Sequence, residues 1–333
     1  MKILKKNFLY FTFLKLISKN GRKKSIINEV NFHKKILFKN RISLYFIPFL
    51  LKEKITKKLL FILFNKLSFK AKEDLYYHAI GIFLKKNLKI PSGETKLIFN
   101  KRCFFIPHEK GMLFNIASSF SYLGHDYDVK KCYLDLVVNF NIKTFYDVGA
   151  NHGQHSILMM SQGINCFAFE PNINCHESLI STASYNKFTN YKLIKNAVGE
   201  KSGKLYLNFN PKETWNGKVS NKVSHIKNET SMEVSIITLD SFFLENQTPQ
   251  LIKIDTEGHE INVLKGAITL IKNSRPMIIF ETLSNDILTF FKSHSYKVLN
   301  IKNNYNEITS EIEGFQNFLA CPEEKYTYLS SKF

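Results

Sequence analysis

Phe145-Tyr146-Asp147-Val148-Gly149-Ala150-Asn151-His152-Gly153-Gln154 is the stretch on which the fold turns. Apolar side chains lead up to Asp147, and two glycines four residues apart follow before a helical pattern starts at Gln154. Strand, glycine turn and helix form the opening unit of a doubly wound sheet. In such sheets ligands bind outside the carboxyl ends of the strands, where the strand order reverses. Gly149 permits backbone to pass close under a ligand, and Gly153 lets the helix start tightly against the sheet. A dinucleotide loop requires G-x-G-x-x-G, whose second glycine admits a pyrophosphate. Asn151 occupies that place. This argues against a nicotinamide cofactor and agrees with S-adenosylmethionine, which carries no pyrophosphate. Asp147 can then face the cationic amino and sulfonium end of that ligand. A glycine turn without a ligand accounts for the loop alone equally well.

Working outward, the pattern alternates. Residues 144–148, 166–170, 191–198, 250–255 and 277–281 read as strands. Between them lie helices at 154–161, from an Asn172 or Asn174 cap to about Asn186, and after residue 255 with Ile261, Leu264, Ile268 and Ile271 on one stripe. A further helix at 285–293 leads to a closing pair, 296–301 and 316–321. Two strands, 204–209 and 233–239, flank a polar stretch at 210–231 that reads as a mobile loop. Strands alternating with helices imply a parallel sheet covered on both faces, with an antiparallel last strand pair. Upstream, residues 1–90 read as Lys-rich helices broken at Pro48, with a turn at Ile90-Pro91-Ser92-Gly93. A hairpin over 96–107 turns near Asn100-Lys101, and helices follow at 112–122 and 128–140. The expected divisions are a basic helical segment (1–90), a connecting hairpin and helix (91–133), and a ligand-binding domain (134–333).

Two further signals lie at strand ends. Glu170 stands 23 residues after Asp147 in Phe167-Ala168-Phe169-Glu170-Pro171. A carboxylate there can take both ribose hydroxyls of a nucleoside, or merely favour a helix start. Asn196, at the end of the third strand, is expected near the adenine. Downstream, Leu251-Ile252-Lys253-Ile254-Asp255-Thr256-Glu257-Gly258-His259-Glu260 runs an apolar strand into a cluster of acids and a histidine. Such a cluster is costly to bury without a task or a partner. Capping of the next helix by Asp255 or Thr256 is the structural alternative.

These motifs resemble the FkbM-type methyltransferases, S-adenosylmethionine-dependent enzymes with the class I, Rossmann-like fold. The resemblance rests on the loop quoted first, on Phe169-Glu170-Pro171, Asn196-Ala197-Val198-Gly199, Thr238-Leu239-Asp240, Lys253 through Glu260, Leu264-Lys265-Gly266-Ala267, Ile278-Ile279-Phe280-Glu281 and Asn317-Phe318-Leu319. It covers roughly residues 120 to 322, and nothing is carried over to residues 1–110. It implies O-methylation of a hydroxyl on a sugar, a polysaccharide unit or a secondary metabolite. S-adenosylmethionine would sit over Asp147, Gly149, Asn151 and Gly153, with Glu170 and Asn196 beside it. A hydroxyl acceptor needs a base, and the candidates are Asp255, Glu257, His259 and Glu281. Three carboxylates could also gather a divalent metal, though nothing in their spacing demands one.

Composition bounds the rest. The 333 residues are 44% hydrophobic, enough for a packed core, and no apolar run reaches the roughly 18 residues of a spanning helix. Five scattered cysteines form neither a disulfide framework nor a C-x-x-C zinc pair, which suits a reducing cytoplasm. Residues 1–70 hold 18 Lys+Arg and 2 Asp+Glu, a net charge of +16, whereas the other 263 residues hold 29 and 26, a net of +3. Biased surface composition explains part of this. A basic amphipathic helix, either packed on the body or resting on an anionic membrane surface, explains it as well; the expected location is the cytoplasm, and on the second alternative its place there is peripheral, at the inner membrane surface. On that reading residues 1–70 carry no chemistry, and a chain starting near Pro91 keeps donor binding. Nucleic acid is disfavoured as a partner. Base methylation usually shows an Asn/Asp-Pro-Pro-aromatic run, and this chain has Asp255-Thr256-Glu257-Gly258. A non-catalytic assembly protein that keeps the fold is the remaining alternative.

Overall fold

A computed structural model describes residues 54–83, 93–108, 116–211, 213–312, 314 and 316–331. The helical reading of residues 1–53, with its break at Pro48, lies outside the described residues. So do positions 90–92 of the expected turn and the start of the expected 112–122 helix.

Helices α1 (Lys54–Lys66) and α2 (Phe69–Phe83) precede a hairpin of β1 (Gly93–Phe99) and β2 (Arg102–His108). Helices α3 (Ile116–Gly124) and α4 (Tyr127–Asn139) lead into β3 (Thr144–Val148), α5 (Gln154–Ser161), β4 (Asn165–Phe169), α6 (Ile173–Tyr185) and β5 (Tyr191–Ile194). An excursion follows: β6 (Ala197–Val198), β7 (Gly203–Asn210), β8 (Glu213–Ser220) and β9 (Thr230–Ile237). Then come α7 (Leu239–Phe243), β10 (Leu251–Ile254), α8 (Glu260–Lys265), α9 (Ile268–Ser274), β11 (Met277–Phe280) and α10 (Asn285–Ser293). The described chain closes with β12 (Tyr296–Asn300), β13 (Asn306–Glu307), β14 (Phe318–Pro322) and α11 (Glu323–Ser330).

The main sheet has the order β13-β12-β14-β11-β10-β3-β4-β5. Its five strands from β11 to β5 are parallel. β14 slots antiparallel between β11 and β12, the closing pair expected from the sequence. This is the doubly wound α/β sheet with an antiparallel closing pair that the alternation of strands and helices implies. Strand order reverses between β3 and β10, which are direct neighbours, so the crevice expected at that point opens above Val148 and Ile254. Every residue of the parallel strands β3, β10 and β11 and of the antiparallel β14 is buried, as central strands covered on both faces require. Phe145, Leu251, Met277, Ile279 and Leu319 face one apolar layer, while Tyr146, Ile252, Ile254, Ile278 and Phe280 face the other.

Four sequence expectations change. The strand expected over 191–198 divides, because β5 ends at Ile194 and β6 pairs with β9 in a separate sheet of order β6-β9-β7-β8. The stretch expected to be a mobile loop contains β8, which pairs antiparallel with β7. The helix after residue 255 is two helices. Gly266 lies between them, where a Cβ would stand 2.0 Å from the carbonyl oxygen of Gly199. Finally, the basic segment is partly structural. Phe61 stacks on Phe120 at 4.6 Å between ring centroids, and Phe64 meets the same ring edge-on at 5.0 Å. Asn65 brackets β1, donating to Lys96 O and accepting from Ile98 N, both at 2.9 Å. A cut at residue 91 therefore passes through a packed interior shared with Phe145 and Leu179. The hairpin itself turns where expected, with Asn100 and Lys101 both at positive φ (46° and 64°), as a two-residue primed turn needs.

Candidate active site

The loop after β3 is held by backbone. Gly149 N and Ala150 N both donate to Phe169 O at 3.0 Å, which ties the ends of β3 and β4 together. Gly149 has φ +80°, and a Cβ there would fall 1.9 Å from the carbonyl oxygen of Asp255. The close approach that makes this position glycine is therefore the β10 strand end, not a ligand. Gly153 has φ +81° and a Cβ there would strike Leu179 of α6 at 2.6 Å, so it serves helix packing and not contact with the sheet. Asn151 takes φ 51° and accepts from Cys175 Sγ at 3.4 Å through its Oδ1.

Glu170 organises the rim of the crevice. Its side chain accepts from Asn151 N and Asn172 N, each at 2.7 Å. Burial pushes its carboxyl up to about 7 against the pull of those two N–H groups. A carboxylate has about four acceptor sites, so about two remain for other donors. Next to it Asn172 Nδ2 is buried with no hydrogen-bond partner among the described residues. Asn196 lies half-buried in the link between β5 and β6, reached through the bond from Glu170 N to Ile194 O.

Asp147 sits beneath the loop. It is 1% exposed and accepts from Ser156 Oγ of α5 at 2.6 Å, so it does not open toward the crevice. Burial raises its carboxyl to about 6, opposed by Lys253 and the Ser156 bond. Lys253 is its register partner across β3 and β10, also 1% exposed, and donates to Asp255 Oδ2 at 2.6 Å. Burial disfavours that ammonium, yet Asp255, Asp126 and Asp147 hold it charged above its ordinary range. A second lysine, Lys130 of α4, is fully buried and donates to His125 O. Burial brings it down to about 8. Sequence reasoning assigned neither lysine a role. The available signal was a cation amid apolar neighbours in Leu251-Ile252-Lys253-Ile254, since lysine is almost never buried without a partner.

The acids of the third motif meet those of the next strand end. Side-chain oxygens of Asp255, Glu257 and Glu281 lie within 4.8 Å of one another, a spacing that also suits a divalent cation. Burial, then repulsion from Asp255, pushes Glu281 up to about 9 against the attraction of Lys253. Glu257 is carried at φ 54° beside Gly258 at φ +101°, where a Cβ would meet open space. Glu260 shapes this turn: it is 1% exposed and accepts from Thr256 N, Gly258 N, Thr256 Oγ1 and Thr282 Oγ1 at 2.8–3.2 Å. Neither Asp255 nor Thr256 caps α8, which begins at Glu260 after His259. His259 stays apart from the three acids. Its Nδ1 meets Asn262 Nδ2 at 3.1 Å and its Nε2 abuts Gly199, with burial lowering its pKa.

Residues 147–298 match the family model described as the methyltransferase FkbM domain, a narrower span than the motifs alone suggested. A curated relative, the hexuronic acid methyltransferase AglP of Haloferax volcanii, is 28% identical over 136 residues. That alignment covers 40% of this chain and 54% of the relative, so the chain spans about half the length of the curated protein it matches. Among solved structures, the FkbM methyltransferase of Methylobacillus flagellatus KT aligns at 16% identity and TM-score 0.36, covering 59% of this chain and 54% of that one. M. jannaschii TYW2, solved in complex with AdoMet, aligns at 11% identity and TM-score 0.34, covering 70% and 87%.

Proposed function

We propose, from the premise that residues 147–298 form an FkbM methyltransferase domain, that this chain methylates a hydroxyl of a sugar or polysaccharide unit. The observation that carries the reading is the meeting of Asp255, Glu257 and Glu281 at the ends of neighbouring strands, next to the glycine loop after β3. S-adenosylmethionine, when bound, supplies an already activated methyl group. The chain's own work is then to hold the donor, align the acceptor and take its proton.

Glu170 would hold the ribose through its remaining acceptor sites. The unpartnered Asn172 Nδ2 beside it and half-buried Asn196 fit the nucleoside end. Asp147 and Lys253 would act from beneath, setting the charge under the loop. At the acceptor end, Lys253 orients Asp255 through the 2.6 Å bond from its Nζ to Oδ2. Glu281, pushed up to about 9, is neutral near pH 7 and donates or shares a proton with its neighbours. Asp255 and Glu257 are therefore the groups suited to accept the hydroxyl proton, whereas His259, turned to Asn262 and Gly199, is not. The open space at Gly258 leaves room for an acceptor. A sugar is favoured over a nucleobase by the curated relative's hexuronic acid substrate and by the acid cluster, which would repel a nucleic acid backbone.

The test is single-turnover transfer of labelled methyl to a panel of uronic acid and neutral glycosides. Asp255→Asn and Glu257→Gln should cost about 10²–10⁴ in rate with donor affinity retained. Near-native rates in both variants would end the base assignment, and no transfer to any glycoside would end the sugar reading. Transfer that requires a divalent cation and is lost to a chelator would give the three acids to a metal.

A further inference from the structure

We propose that the outward face of α1 docks on an anionic bilayer surface. This helix, Lys-Ile-Thr-Lys-Lys-Leu-Leu-Phe-Ile-Leu-Phe-Asn-Lys, has four lysines and no acid. Its inner face is used by the fold, with Phe61 and Phe64 buried against Phe120. Its outer face is apolar too. Ile55, Leu59, Ile62 and Leu63 are 75%, 55%, 45% and 61% exposed among the described residues. They recur at i, i+4, i+7 and i+8, the spacing of a single helical stripe. Exposed Lys58 and Lys66 accompany them.

A helix anchored by one apolar face has no folding reason for a second. Apolar side chains with lysines beside them are what a shallow interfacial helix presents, its leucines at the acyl boundary and its ammonium groups among anionic headgroups. Charge complementarity selects that occupant over a neutral surface, because residues 1–70 carry 18 basic and 2 acidic side chains. Among the described residues no helix is long and apolar enough to cross a membrane. Because Phe64 and Asn65 tie α1 to the sheet domain, docking would fix the orientation of the whole domain and not merely tether it. The inference stands apart from methyl transfer.

The experiment is co-sedimentation of the full chain with phosphatidylcholine vesicles and with vesicles containing about one third phosphatidylglycerol. Binding to the anionic vesicles is expected, falling as salt is raised. Leu59→Gln/Leu63→Gln should lower the partition at least about tenfold, since two leucines lose their apolar contact. Thermal midpoint and S-adenosylmethionine affinity should stay native. Equal binding to neutral vesicles, or undiminished binding by the variant, overturns the proposal. So does a variant that loses stability, which would show the face covered by the rest of the chain. A native dimer broken by the variant would assign the face to a second copy.

Discussion

Replacing Lys253 by methionine probes how the charges beneath the loop are held. Methionine keeps the apolar stem and removes a cation that is 1% exposed and 2.6 Å from Asp255. Asp255 is 30% exposed and recovers part of its hydration, so the larger loss falls on Asp147, the fully buried register partner. In the native protein Asp147 stands near 6 against an ordinary 3.8, raised by burial and restrained by Lys253. The folded acid thus binds its proton more tightly than the unfolded one. Its contribution to stability declines as pH rises between these two values and is level above them, a cost of about 3 kcal/mol at roughly 1.4 kcal/mol per pKa unit. Without Lys253 the folded value climbs further, and the decline continues past neutrality. The variant should therefore lose about 1 kcal/mol at pH 5, where Asp147 is mostly protonated in both proteins. At pH 8 it should lose about 3–5 kcal/mol, the usual cost of stranding a buried charge. Urea denaturation of the native protein, Lys253→Met and Lys253→Met/Asp147→Asn at both pH values measures this. The double variant should lose most of the pH-dependent part. Equal deficits at the two pH values, or a double variant as pH-sensitive as the single one, would refute the reasoning.

Other consequences are directly measurable. Glu170 stands at about 7, so calorimetric affinity for S-adenosylmethionine should rise as pH goes from 6 to 8, when the carboxylate ionises and accepts charge-assisted bonds. Glu170→Gln should bind more weakly and lose that pH dependence, and a pH-independent native affinity would remove the ribose assignment. Gly149→Ala should destabilise the fold by several kcal/mol, because its Cβ would stand 1.9 Å from the Asp255 carbonyl, whereas Gly258→Ala carries only the backbone strain of φ +101°, about 1–3 kcal/mol. Thermal unfolding that ranks the two in reverse order would contradict this. Deleting residues 1–90 should give an insoluble chain, since Phe120 loses both Phe61 and Phe64. A soluble fragment that binds the donor would contradict the shared core.

The parallel strands β3, β4, β10 and β11, the helices between them, the closing pair of β12 and β14, and the acids at the strand ends were written in the sequence. Buried parallel strands need uninterrupted apolar runs, and a strand–glycine–helix turn needs φ values few residues tolerate, so both leave local marks. Asp255 and Glu281 could be named for the same reason, since each directly follows such a run, and Glu257 stands two residues beyond Asp255. What each residue touches was decided by tertiary structure. Gly149 reads as room for a ligand, but the space it leaves is taken by a carbonyl 106 residues away in the chain. Asp147 reads as a crevice acid, yet the strand pleat turns it inward onto Ser156 and opposite Lys253. The division of β5 from β6, the strand inside a polar stretch and the break at Gly266 all depend on partners distant in sequence, which local periodicity does not record. Burial of Lys253 and Lys130 follows the same logic. A lone cation in an apolar window is anomalous in the sequence, and only the meeting of β3, β10 and α4 supplies the opposite charges that make it stable.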